Sequence, residues 1–154
     1  MFNLFSKKES FKVVAPISGN LMSIEKVNDE VFSSKMMGDG FAIKPNSQTV
    51  YAPIGGEVVT LFPTKHAVCI KGNDGLEVIV HVGIDTVNNQ GKGFSAYIKI
   101  GDKIKQGQKM LYIEDSLFND KTIDLTTMVV FTNKINFEIN IEDKHIDAKQ
   151  GIIK

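Results

Sequence analysis

Apolar and polar residues alternate along this chain over short runs with a period of two, and no stretch sustains the 3.6-residue period of a long helix. The runs are rich in β-branched side chains and are broken at intervals of about eight to twelve residues by Gly, Pro, Asn and Asp, the punctuation of a sandwich or barrel. Strands are predicted at Val13-Pro16, Asn20-Ser23, Phe41-Lys44, Thr49-Ala52, Gly56-Leu61, Ala67-Lys71, Leu76-Val82, Phe94-Ile98, Lys109-Glu114 and Met128-Thr132. A further strand is expected at Asn136-Ile141, and one short helical turn near Asp29 to Ser34. The fold class that follows is all-β: an antiparallel sandwich with barrel-like character and few helical turns.

The pattern repeats. Val13-Val14-Ala15-Pro16-Ile17-Ser18-Gly19 returns 37 residues later as Val50-Tyr51-Ala52-Pro53-Ile54-Gly55-Gly56, and each copy runs into an apolar strand. In the shared V-x-A-P-I-x-G, Pro presets a turn and Gly is expected to supply a backbone angle that side chains resist. Two copies of one unit imply a pseudo-symmetric fold of two sheets. Gly101-Asp102-Lys103-Ile104-Lys105-Gln106-Gly107 has the G-D-x-I-x-x-G form of a tight corner, similar to the hammerhead turns of lipoyl and biotinyl carrier domains.

Length and composition narrow the class. The 154 residues suit one domain, placed at 12–154 behind an N-terminal tail of residues 1–11, with the strands of 133–154 the least typical part. The 18 basic residues are all lysine and meet 18 acids, for a formal charge of zero, whereas a nucleic-acid binder carries a basic excess and arginine forks. Cys69 stands alone, so no intramolecular disulfide forms, in keeping with a reducing compartment. Met1 to Lys8 is too short and polar for a signal peptide, and no apolar run approaches the roughly 20 residues of a membrane span. A cytoplasmic protein is expected, with at most weak membrane-surface contact through Phe2, Leu4 and Phe5 beside Lys7 and Lys8.

Chemistry converges on two of the three histidines, since His145 lies in a charged tail. On the Leu76-Val82 strand, Val78, Val80 and Val82 fill one face, and Ile79 and His81 take the other. Thr64 and His66 share a side, within reach of a hydroxyl bond that would fix one ring nitrogen. If the strands pair through Gly72-Asn73-Asp74-Gly75, opposite residues sum to 147, and 66 plus 81 is 147. The imidazoles would then face each other with Cβ atoms about 5 Å apart. Such a pair is compatible with zinc, with acyl transfer or with phosphoryl transfer through a phosphohistidine, of which the last asks least of its neighbours. Cys69, odd-numbered against His66, is expected to face away as a buried, inert thiol.

Larger motifs surround these residues: Ala15-Pro16-x-Ser18-Gly19, Val31-Phe32-x-x-Lys35-Met36-x-Gly38-Asp39-Gly40, Phe62-x-Thr64-x-His66-Ala67 and His81-x-Gly83-Ile84-Asp85-Thr86-Val87, then Gly91-x-Gly93-Phe94. From about residue 12 to 133 the chain resembles the glucose-type enzyme IIA domains of the bacterial phosphoenolpyruvate-dependent sugar phosphotransferase system. The resemblance implies a cytoplasmic phosphocarrier without a cofactor. It would accept phosphate from phospho-HPr on His81 and pass it to the cysteine of a sugar-permease IIB domain, with IIB and IIC expected on separate chains. His66 would stabilise the phosphoryl group and Thr64 orient His66. Val31, Phe32, Met36, Met37, Phe62 and Ile79 would form an apolar docking ring, with Phe32 and Phe62 at its centre, and Asp29 and Asp85 would supply charge; Glu30 stands where an apolar residue is usual. Further regulatory targets are compatible with such a domain. No metal is required, although the two imidazoles are able to take up zinc adventitiously or at a partner interface.

Two other readings compete. His81-x-Gly83-x-Asp85 looks like the first zinc motif of lysostaphin-type endopeptidases, a related fold, but the later H-x-H is absent, because His145 is the only histidine downstream. A biotin or lipoate carrier needs a lysine at a hairpin tip in a Met-Lys-Met or Asp-Lys-Ala context, and neither occurs.

Overall fold

A computed structural model describes residues 10–86 and 92–154. The expected membrane-touching segment, Met1 to Lys8, and Val87 of the histidine motif lie outside the described residues. Thirteen strands occur among the described residues: β1 (Val13–Val14), β2 (Gly19–Ser23), β3 (Gly40–Pro45), β4 (Thr49–Tyr51), β5 (Gly56–Leu61), β6 (Ala67–Gly72), β7 (Glu77–Val82), β8 (Phe94–Ala96), β9 (Lys103–Ile104), β10 (Lys109–Ile113), β11 (Thr127–Phe131), β12 (Lys144–Ile146) and β13 (Gly151–Ile153). Two one-turn helices, α1 (Glu30–Ser33) and α2 (Asp115–Phe118), and a 3-10 turn at Ile24–Lys26 complete them. Every strand pairing is antiparallel. Eight strands form one sheet in the order β12-β2-β3-β11-β7-β6-β5-β9; β4-β10-β8 and β1-β13 form two smaller ones. One apolar cluster draws on all three, from Val13 and Ile153 through Val50 and Leu111 to Phe41, Val80 and Val129. No helix among the described residues is long and apolar enough to cross a membrane.

The repeat is real in three dimensions and larger than the sequence echo. β1 and β4 open the two copies, β2 and β5 follow, and both long strands begin at the motif glycine. Gly19 sits opposite Ile146 of β12, as Gly56 sits opposite Ile104 of β9; Val13 faces Ile153 of β13, as Val50 faces Leu111 of β10. The motif glycines do not adopt the backbone angle expected of them, for neither has a positive φ. They are glycines because a paired backbone passes too close: a Cβ would lie 2.1 Å from the Lys44 carbonyl oxygen at Gly19 and 2.1 Å from that of Lys71 at Gly56.

Segment Asn136-Ile141 is not a strand. Its alternation is genuine, because Ile135, Phe137, Ile139 and Ile141 pack half-buried on the core, but β12 already occupies the outer edge of β2. Burying one face needs no ladder. The strands expected within 133–154 are β12 and β13, and His145 of the charged tail belongs to β12, opposite Asn20; β9 and α2 were not anticipated.

The two halves of the large sheet differ on their outer face, and this positions the site. In one half, residues 24–39 leave the sheet between β2 and β3 and return over it. Ile24, Val27 and Phe32 from this excursion pack on Ala42, Met128 and Val130 in a second buried cluster. β11 is therefore buried on both faces along its whole length. In the other half, β5 and β6 are joined by residues 62–66 alone, and the outer face of β6 and β7 stays open.

Candidate functional site

Alternation places the first histidine as expected. Val78, Val80 and Val82 are buried, and Ile79 and His81 lie half-buried on the outer face. One row across that face reads Ala67, His81, Met128, Ala42 and Met22, so His81 stands where the covered half meets the open half.

His66 does not face His81 across the ladder. The register pairs Ala67 with His81, a sum of 148, because the hairpin loop is Asn73-Asp74-Gly75 and centres on Asp74. Gly72 N–H bonds to Leu76 O at 2.7 Å, Gly75 N–H to Gly72 O at 3.0 Å, and Gly75 takes φ 91°. That is a three-residue loop ending in a left-handed glycine, not the four-residue turn the sequence suggested. The rings meet all the same. His66 precedes β6, in a turn where Lys65 N–H bonds to Phe62 O at 2.7 Å and Lys65 has φ 57°, and this swings the ring over the small Ala67. The His66 carbonyl still accepts from Val82 N–H at 2.7 Å. The two ring centroids lie 4.7 Å apart, edge-on at 81°.

Each ring is braced on its outer side. Phe62 meets His66 edge-on at 5.4 Å, and Phe32 lies 5.0 Å from His81. Thr64 Oγ1 is hydrogen-bonded to Nδ1 of His66; the contact arises in the turn and not from strand parity. Phe32 is set by α1, whose N-cap Asp29 accepts from Val31 N–H at 2.9 Å. Beyond His81, Gly83 takes φ 87°, and a Cβ there would fall 2.3 Å from Cγ2 of Thr86. Thr86 is itself buried, donating to Val82 O at 2.5 Å.

The remaining expected site residues fall into two groups. Phe62 and Ile79 are half-buried beside the histidines, Val31 and Met36 are exposed, and Met37 is half-buried against the second cluster. Phe32 differs from its expected place at the centre of an exposed ring: it is 6% exposed, because it closes the second cluster and touches His81 at the same time. Asp29 lies near enough to His81 to favour its charged form, while Asp85 stands exposed at φ 60°. Cys69 also departs from expectation. It pairs with Ile79, which puts it half-buried on the same outer face as His81. Burial holds its thiol above the usual range, with Thr60 opposing and Glu77 adding to the effect. Sequence reasoning missed Met128 and Ile84; for Met128 the signal is that the Met128-Phe131 run is apolar without alternation, so its second face needs a cover as well.

Both imidazoles are held neutral. Burial, then the charge of His66, pushes His81 down to about 4, and burial lowers His66 as well. The Gly83 backbone and Asp29 oppose the shift on His81. The Gly83 contact falls short of a full hydrogen bond, since Nδ1 of His81 is buried without a partner among the described residues. A depressed histidine favours folding at neutral pH and costs stability once the unfolded chain gains a proton that the folded one refuses. Stability is therefore expected to be unaffected by His81 above about pH 6.5 and to fall from there to pH 4, by about 3 kcal/mol in all. Urea midpoints of wild type and His81→Gln at pH 7 and pH 4.5 check this. If the two proteins lose stability in parallel, His81 is not the buried neutral base.

Among the described residues no cluster of three or more His, Cys, Asp or Glu is placed to hold an ion, whereas a catalytic zinc site uses three protein ligands. What remains is a nucleophilic nitrogen beside a second ring that is able to donate a hydrogen bond.

Comparisons with known proteins agree on one group. The family model of the phosphoenolpyruvate-dependent sugar phosphotransferase system, EIIA 1, matches residues 11–137. A glucose-specific EIIA component of Halalkalibacterium halodurans is 47% identical over 139 residues, covering 90% of this chain and 80% of that protein. One from Bacillus cereus is 42% identical over 133 residues, covering 86% and 81%. A glucosamine-specific EIICBA component of Bacillus subtilis is 42% identical over 136 residues, 88% of this chain but 21% of that longer protein. Among solved structures, the glucose permease IIA of Mycoplasma capricolum superposes with a TM-score of 0.86 at 32% identity, covering 95% of this chain and 96% of that one.

Proposed function

This chain belongs to the EIIA 1 family of the phosphoenolpyruvate-dependent sugar phosphotransferase system, and from that membership we propose that it carries phosphate on His81. It is a phosphocarrier in sugar uptake. The observation that carries the finer reading is the edge-on pair of neutral rings 4.7 Å apart, one with its Nδ1 buried. A buried Nδ1 leaves Nε2 of His81 as the nitrogen to meet a donor. Its lone pair attacks phosphorus, the phosphorus–nitrogen bond to Nε2 forms, and the bond to phospho-HPr breaks, with HPr leaving in its unphosphorylated form. In the second step a cysteine thiolate of a IIB domain attacks, and His81 is released as a neutral imidazole.

His66 serves the phosphoryl oxygens in both steps. If Thr64 donates its hydroxyl hydrogen to Nδ1, the His66 ring carries its proton on Nε2 and donates from there. Phe62 and Ile79 beside the pair, with the exposed Val31 and Met36 on the excursion that carries Phe32, are proposed as the apolar surface that excludes water when a partner docks, and Asp29 and Asp85 as the charges that attract a basic partner face. Phe32 acts from beneath, as the wall that holds the His81 ring. The sugar served is glucose, on the strength of the names its relatives carry, and the cytoplasm is the place where HPr and IIB are met.

Incubation with phosphoenolpyruvate, enzyme I and HPr, followed by intact mass, tests this. One added phosphoryl group is expected, mapping to the peptide that contains His81. Phosphate on His66 or His145, or no gain in mass, would end the proposal.

A further inference from the structure

The steps above leave unused the turn that faces the His81 loop from the start of β11. Asp124 is half-buried there, and its Oδ1 accepts from Thr126 N–H at 2.9 Å and from Thr126 Oγ1–H at 2.6 Å. The side chain thereby closes residues 124–126 into an Asx turn. The turn presents two carbonyls to the segment beyond His81: Thr126 O accepts from Gly83 N–H at 2.9 Å, and Asp124 O accepts from Ile84 N–H at 2.9 Å. With φ at 87° and Thr86 packed against its Cα, the Gly83 peptide has little freedom to rotate. Gly83 lies two residues beyond His81, whose Nδ1 is buried without a hydrogen-bond partner among the described residues, and its backbone favours a proton on that ring.

We infer that Asp124 is a positioning residue for phosphoryl transfer: by closing the 124–126 turn it holds the Gly83 peptide beside Nδ1 of His81, which keeps the proton on Nδ1 and leaves Nε2 bare. The observed contacts run from the Asp124 carboxylate to Thr126 and from the turn carbonyls to Gly83 and Ile84, the segment that directly follows His81 and its buried Nδ1. Asp124 itself touches neither histidine. Its effect is on which ring nitrogen has the lone pair, and a partner of this kind commonly matters about tenfold or more when a histidine tautomer must be fixed.

The inference rests on His81 being the acceptor, so its test reads the ring separately from the reaction. In intact protein with 15N-labelled histidine, wild-type His81 is expected to show the tautomer protonated at Nδ1. Asp124→Ala should mix the two tautomers and slow phosphorylation by phospho-HPr about tenfold, with the half-saturating donor concentration unchanged. Asp124→Asn, whose Oδ1 still accepts from Thr126, should restore both readings. Thr126→Val, which removes one of the two bonds and keeps the backbone ladder, should shift the tautomer in the same direction by less, and it serves if Asp124→Ala fails to fold. An unaltered His81 tautomer in Asp124→Ala overturns the inference, whatever the melting temperature does. So does an Asn variant no better than Ala. A mixed tautomer with an unchanged transfer rate supports the positioning role and counts instead against His81 as the acceptor.

Discussion

His81→Gln is expected to gain no phosphoryl group from phospho-HPr, a loss of at least about a thousandfold, because glutamine has no nucleophilic nitrogen and no other imidazole can reach the same point. His66 cannot substitute: it is 2% exposed, and its Nδ1 is engaged by Thr64. His66→Gln separates the two roles. Its amide is able to donate to the phosphoryl oxygens but cannot follow the charge that builds on them, so phosphate uptake is expected to continue and delivery to the IIB cysteine to fall by about tenfold or more. Rapid-quench measurement of both half-reactions distinguishes these outcomes. Uptake retained in His81→Gln, or both half-reactions unchanged in His66→Gln, would reverse the assignment.

The second large effect is on folding. Gly56→Ala is expected to destabilise the protein by on the order of 3 to 5 kcal/mol, a large share of the total for a domain of this size. The added Cβ would lie 2.1 Å from the Lys71 carbonyl oxygen and 2.8 Å from Gly72 Cα, both backbone atoms of a paired strand that also builds the histidine hairpin. No side chain can move aside to relieve this. Gly75→Ala is the control, since nothing lies within 4 Å of its Cβ and only the φ of 91° resists the change, at a cost of about 1 kcal/mol. Equal urea midpoints for the two variants would mean that conformational freedom, not close approach, is what the repeat glycines provide.

How much of this was legible follows from the range of each signal. Alternation is local, so the sequence by itself determined that Val78, Val80 and Val82 point inward and that His81 shares the outer face with Ile79. The repeated V-x-A-P-I-x-G likewise foretold two matching strand pairs, and the histidine motifs foretold the family. Register is not local in the same way. Reading Gly72-Asn73-Asp74-Gly75 as a four-residue turn put His66 opposite His81, whereas the loop centred on Asp74 moved every pair by one residue and placed Cys69 on the site's face. A one-residue slip reverses faces because the side-chain period is two. The rings still met, since Lys65 at φ 57° turned the chain before β6 began, and a single left-handed lysine has no signature in hydrophobic pattern. Strands were expected within 133–154, but the positions of β12 and β13 escaped notice because they resemble β9 and β10 in what they pair with, not in their residues. Burial of Phe32, finally, was decided by tertiary structure alone: whether an apolar residue is a docking surface or a wall depends on which strands lie beneath it. The second face of β11 and the excursion of residues 24–39 come together only when strands far apart in sequence pair.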